Sequence, residues 1–232
     1  VVRQGEREAH FWAPAPDWRN PENYIYNQIG QLRYGHDQPA AIEPCGRGFR
    51  FTYQTVWRDD HDEPVLDETR TIAIYAGADA TMCDVFTSKT ATYGPLDYPA
   101  SKHGTIGVRI QPQLLPFMGG EILGGMEGTV RRGRADEVAS GQPCNYVAYE
   151  ADVPGLGRFG VCLIVLANTA SADHRGPWFI RDYGMAMFNA SMRDAIHTAA
   201  GETWTAGLRV VAYDGALSDE RVRAWREPAA TG

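Results

Sequence analysis

The sequence has no run approaching the roughly 18 apolar residues that a membrane helix needs. It also has no lysine- or arginine-rich stretch, no C-x-x-C pair, no internal repeat and no low-complexity segment. The first absence argues against a helical membrane anchor. The second, with 22 Lys+Arg against 29 Asp+Glu and a net charge of −7, argues against non-specific nucleic-acid binding, which draws its affinity from phosphate neutralisation. The one basic cluster, Arg131-Arg132-Gly133-Arg134, is followed at once by Asp136 and Glu137 and reads as a solvated loop. Cys45, Cys83, Cys144 and Cys162 lack short metal-type spacing, so they read as reduced thiols and the protein as cytoplasmic. No signal peptide is visible, although the sequence opens at Val1 rather than Met. At 232 residues the chain can bury a sizeable core as one domain without disulfides.

Within that frame the chain offers strands. Residues 1–28 are expected to be irregular, because His10-Phe11-Trp12-Ala13-Pro14-Ala15-Pro16 is too rich in proline and aromatics for a helix. This segment is read either as packing along a sheet edge or as an aromatic platform for a sugar ring. Gln28–His36 reads as a strand. Phe49, Phe51, Tyr53, Thr55 and Trp57 alternate with polar neighbours, a half-buried strand closed by the acidic turn from Asp59 to Pro64. That turn crowds carboxylates around His61, but no second ligand cluster accompanies it, so no metal is expected. On the return strand Val65–Tyr75, Glu68 and Arg70 share a face with Ile72 and Ile74. Charges on a core face must be paired or line a cavity. Further strands are expected over Asp79–Lys89, Asn145–Asp152, Arg158–Ala167 and Thr203–Asp214. Val161–Leu166 is apolar throughout and should be covered on both faces. Residues 111–143 are read as a long loop excursion, and Ser218 as the N-cap of a short C-terminal helix. The sum is an all-β chain, an antiparallel β-sandwich.

The stretch Lys102-His103-Gly104-Thr105-Ile106-Gly107-Val108-Arg109-Ile110 organises this picture. Its period of two sends Ile106, Val108 and Ile110 to the core and His103, Thr105, Gly107 and Arg109 to the opposite face. Charges beside glycines suit the floor of a polar cleft that a ligand approaches closely. A plain solvated sheet face is the alternative.

Three motifs carry a resemblance: Thr92-x-Gly94 with Lys102-x-Gly104-x-x-Gly107-x-Arg109; Arg181-Asp182-Tyr183-Gly184 with Asn189; and the ending Leu208–Gly215. Together they resemble the bacterial "methane oxygenase PmoA-like" family, and Phe11-Trp12, His36, Trp57 and Glu68-x-Arg70 fall where that family's pattern would put them. The resemblance implies a mutarotase-like supersandwich and a setting among sugar-handling proteins. It also implies a His-His-x-Gly segment ahead of Phe11 that this chain lacks, so an N-terminal portion is expected to be absent or to belong to another chain. The six histidines show no ligand spacing, so no metal or other cofactor is expected.

The expected partner is a small-molecule carbohydrate, without nucleic acid or membrane, in a homo-oligomer or beside a second chain. Proton transfer next to a sugar carbonyl needs a base, an oxyanion donor and an acid. The candidates are His103 or His36 as base, Lys102 and Arg109 at the oxyanion, and Glu68 or Asp182 as orienting group or acid. Tyr183 is a candidate proton donor. Trp12, Trp57, Arg70, Arg181 and Asn189 are the candidate substrate contacts. Asp182 with Arg181 also reads as a plain ion pair, and a non-catalytic sugar-binding subunit is the competing function.

Overall fold

Alternation along four long strands gives one sheet two working faces. The computed structural model describes residues 2–9, 41–59, 61–102, 104–126, 128–170 and 176–227. His36, His103, Trp12, the expected strand Gln28–His36 and most of the 1–28 segment lie outside them. These four strands are β4 (Gly48–Arg58), β5 (Pro64–Ala76), β6 (Ala80–Thr90) and β16 (Thr203–Asp214). They join β3 (Ala41–Cys45), β9 (Glu121–Met126), β10 (Thr129–Gly133), β11 (Tyr146–Val153) and β12 (Gly157–Asn168) in a nine-stranded sheet. Its order is β10-β9-β11-β12-β16-β6-β5-β4-β3, antiparallel throughout.

Two small sheets cover one face. The first runs β15 (Ile196–Thr198), β7 (Leu96–Tyr98), β1 (Val2–Gln4), β2 (Arg7–Ala9). The second runs β13 (Trp178–Ile180), β14 (Met185–Phe188), β8 (Ile106–Arg109). Between them and the large sheet lies the main core, with Ile122, Tyr149, Leu163 and Leu208 meeting Leu96, Ile106, Trp178 and Phe188. Ile106 and Ile110 are buried in it and Val108 packs against it, while Gly107 and Arg109 are exposed. The alternation read along this stretch therefore holds.

The opposite face is closed by the helix Asp219–Arg226, which drops Val222 and Trp225 onto Tyr75, Met82, Cys162 and Tyr213. Ser218 Oγ accepts from Arg221 N at 3.3 Å, the cap expected from the sequence. Cys162, Leu163 and Ile164 are fully buried, as a strand covered on both sides requires. The fold is an all-β sandwich with a short helix near its C-terminal end. All four cysteines are unpaired, and no helix among the described residues is long and apolar enough to cross a membrane.

Residues 111–143 are not a structureless excursion. They hold two 3-10 turns, the hairpin β9–β10 and the short helix Ala135–Val138. The glycines that suggested a loop are there for close approach. A Cβ on Gly124 would lie 2.2 Å from Val138 O, and one on Gly125 2.0 Å from the Tyr146 ring. The cluster at 131–134 is likewise paired: Arg132 meets Glu121 at 2.8 Å and Arg134 meets Asp182 at 2.8 Å.

Candidate functional site

Where β4, β5, β6 and β16 run side by side, the ladder places Trp57 opposite Leu66, Glu68 opposite Lys89 and Lys89 opposite Trp204. These side chains all face the small sheets. Tyr98 comes down from β7 and meets Trp204 edge-on, with centroids 5.4 Å apart at 88°. The gap left here is a cavity of about 370 Å³. Its floor is Trp57, Arg70, Lys89 and Trp204; Tyr98 and Ile196 wall it on one side. Gly107 and Arg109 of β8, Met187 of β14, and Ser101, Gly104 and Thr105 form the other side.

Glu68 lies beneath that floor, 1% exposed. Oε1 accepts from Arg70 Nη2 at 2.8 Å and Nε at 3.2 Å and from Thr87 Oγ1, and Oε2 accepts from Trp57 Nε1 at 2.8 Å. Burial alone would raise its pKa. The charges of Lys89 and Arg70, with the hydrogen bonds from Thr87 and Trp57, outweigh burial and hold the carboxyl below its ordinary value. It is therefore an anion with its lone pairs already engaged.

Lys89 is different. It is 5% exposed, and its Nζ sits 4.3 Å from the Trp57 ring centroid, 5.1 Å from that of Trp204 and 5.8 Å from that of Tyr98. A caged ammonium gains from the ring quadrupoles. Yet Nζ makes no hydrogen bond and no ion pair among the described residues, Arg70 having taken the carboxylate across the ladder. Burial drives the pKa of Lys89 down to about 8; Glu68 resists and Arg70 adds to the fall. Burial raises the Tyr98 pKa and the neighbouring Trp204 indole N–H opposes the rise. Tyr98 Oη and Trp204 Nε1 are both closed off from solvent, so the amine of Lys89 is the polar group left over beside the cavity.

The remaining candidates divide. Arg109 lines the cavity, its guanidinium 5.6 Å from the centroid of the exposed Tyr183 ring. Trp57 and Arg70 line it as well. Lys102 is exposed and is not part of the lining, although Ser101 and Gly104 beside it are. Asn189 is fully buried and does not face the cavity. It donates from Nδ2 to Ser101 O and accepts from Ser191 N at 3.2 Å, so it holds the turn that forms the rim.

Asp182 is a correction to the expected site. It accepts from Ala135 N at 2.9 Å and Arg134 Nε at 2.9 Å, anchoring the helix Ala135–Val138. Arg181 does not pair with it. Its guanidinium lies 4.0 Å from the Phe179 ring centroid and donates to Ser140 Oγ at 3.1 Å. Neither residue lines the cavity. The acidic turn is organised by Asp59, which accepts from His61 N and Glu63 N at 3.0 Å and from Arg7. No group of three or more His, Cys, Asp or Glu among the described residues is placed to hold a metal ion.

Sequence reasoning missed Lys89, Tyr98 and Trp204. The usable signal was Lys89 sharing a face with Val85 at the end of an alternating strand.

The model of the family of unknown function DUF6807 matches residues 8–226. The chain belongs to that family. A comparison with curated proteins gives no match. Among solved structures, this DUF6807 chain is similar to the 4-alpha-glucanotransferase from Thermococcus litoralis at 12% identity and a TM-score of 0.34. The match covers 89% of the DUF6807 chain and 27% of the length of that protein.

Proposed function

We propose that this protein is a carbohydrate-active enzyme that works on a glycoside or keto-sugar by acid–base chemistry in the cavity above Lys89. One observation carries the reading. A pocket of monosaccharide dimensions combines aromatic faces, against which the apolar face of a sugar ring stacks, with an amine whose proton is exchangeable near neutrality. Arg109 and Arg70 supply cations for an oxyanion. The resemblance of the sequence motifs to the PmoA-like family supports the same substrate class. Paired catalytic carboxylates, the usual hydrolase device, are not found at the cavity among the described residues, since Glu68 is the lone acid there and is fully engaged. A lyase or epimerase therefore fits better than a hydrolase.

A second reading, a non-catalytic sugar-binding subunit, draws on that same saturation of Glu68. The test separates them: glycosides and their keto derivatives are incubated with the protein and followed by proton NMR. Turnover that falls about 10²–10⁴-fold in Lys89→Met supports the enzyme. Binding by calorimetry without turnover, and with Kd unmoved by Lys89→Met, supports the binding subunit and defeats the first reading.

A further inference from the structure

Positive charge in this chain is carried by arginine. The sequence holds 20 arginines and only two lysines, Lys89 and Lys102. Lys102 is exposed. Lys89 occupies the least hospitable place for an ammonium, a buried cage of three rings, with the neighbouring carboxylate tied to Arg70. Were the site only a cation socket, arginine would serve, being always charged and content against aromatic faces. What lysine offers and arginine does not is a primary amine that can lose its proton and attack carbon.

We infer that Lys89 is a covalent amine, capturing the carbonyl of a keto-sugar in the cavity as an imine. The inference rests on the functional reading above and adds the bond through which it acts. The lone pair of Lys89 Nζ attacks the carbonyl carbon, and the C=O π electrons move to oxygen. The two protons of the neutral amine leave with that oxygen as water, giving C=N. Hydrolysis returns the water and restores lysine and carbonyl, so no oxidant or metal is consumed. Three features prepare the step. The ring cage desolvates the amine and keeps an appreciable neutral fraction at neutral pH. Arg70 takes the direct hydrogen bonds of the neighbouring Glu68, which leaves Lys89 only the through-space attraction of that carboxylate. Arg109 lines the same space, where the oxygen that gathers charge as the carbonyl opens needs a cation.

The experiment is reductive trapping. The protein is incubated with excess dihydroxyacetone, and separately with D-fructose, in sodium cyanoborohydride, and the modified site is mapped by peptide mass. Lys102 and the N-terminal amine are internal controls. The expected result is an adduct heavier by the probe less one oxygen, on Lys89 at least tenfold faster than on Lys102. It should fade below pH 7 as the amine protonates and be absent in Lys89→Arg and Lys89→Met. Dihydroxyacetone needs no sugar recognition, so labelling no faster at Lys89 than at Lys102 overturns the proposal even if keto-glycosides are turned over. Turnover retained by Lys89→Arg overturns it too. Conversely, fast labelling of Lys89 in a protein that neither binds nor converts any keto-glycoside leaves the amine assignment standing and removes the sugar reading.

Discussion

Strand β6 carries two cross-strand acid–base neighbours, one on each face of the large sheet, and they are built to opposite ends. On the helix-covered face Asp84 and Arg209 pair through two hydrogen bonds, Nε to Oδ1 at 2.6 Å and Nη2 to Oδ2 at 2.7 Å. Tyr75 Oη donates to Asp84 at 2.9 Å, and the remaining guanidinium nitrogen, Nη1, donates to the carbonyls of Trp225 and Glu227. Every polar group has a partner, and the helix fills the space above. On the other face Glu68 stands opposite Lys89 and declines it. The surplus amine faces a cavity rather than a helix. Buried charge whose hydrogen bonds are all closed is structural; buried charge left over beside a void awaits a ligand.

This contrast can be broken by mutation, and the largest effect belongs to the closed pair. Asp84→Ala leaves Arg209 buried without its anion and should cost about 3–5 kcal/mol of stability, read from urea denaturation. If the protein were indifferent to it, the closed network would have no structural weight.

Lys89→Met should act with the opposite sign. Folding lowers the pKa of Lys89 from 10.5 to about 8, so between these values the unfolded chain binds more protons than the folded one. Stability attributable to Lys89 therefore rises with pH through that window, and the penalty is present in full below pH 8. At pH 7 Lys89→Met should be more stable than the parent by up to about 3 kcal/mol, and the gap should close towards pH 10.5. A variant less stable than the parent at pH 7 would mean that the cage stabilises the ammonium.

Asp182→Ala removes a hydrogen bond from the partly buried N–H of Ala135 and should cost about 1 kcal/mol. Turnover of any substrate found should be unaltered, which separates this helix anchor from the cavity. Smallest of all, Tyr183→Phe should leave the melting temperature within error. A large loss of activity in that variant would make Tyr183, which does not line the cavity, a proton donor after all.

Much of the framework was readable in advance, and the limits have physical causes. Strong alternation announced β4, β5 and β6, and Thr203–Asp214 coincides with β16. The same period marked Glu68 and Arg70 as charges on a core face. The hairpin β9–β10 was hidden because Gly124 and Gly125, needed where Val138 and Tyr146 press close, look like loop residues in a linear text. Asp182 was a candidate acid because it belongs to the Arg181-Asp182-Tyr183-Gly184 motif; only the fold shows that it faces the helix Ala135–Val138. Lys89 and Tyr98 sit on successive strands in different sheets, and Trp204 joins them from the far end of the chain; alternation reports which face a residue takes, never which other residue it meets there.

The placement of Nζ 4.3 Å from the Trp57 ring centroid and 5.1 Å from that of Trp204 gives the protein an optical indicator of its own. A positive charge over an indole alters the energy of its excited state, so tryptophan emission should track whether that amine is protonated, free or covalently occupied. The difference spectrum against Lys89→Met isolates the signal from the other tryptophans, letting a fluorimeter watch the pocket without a label.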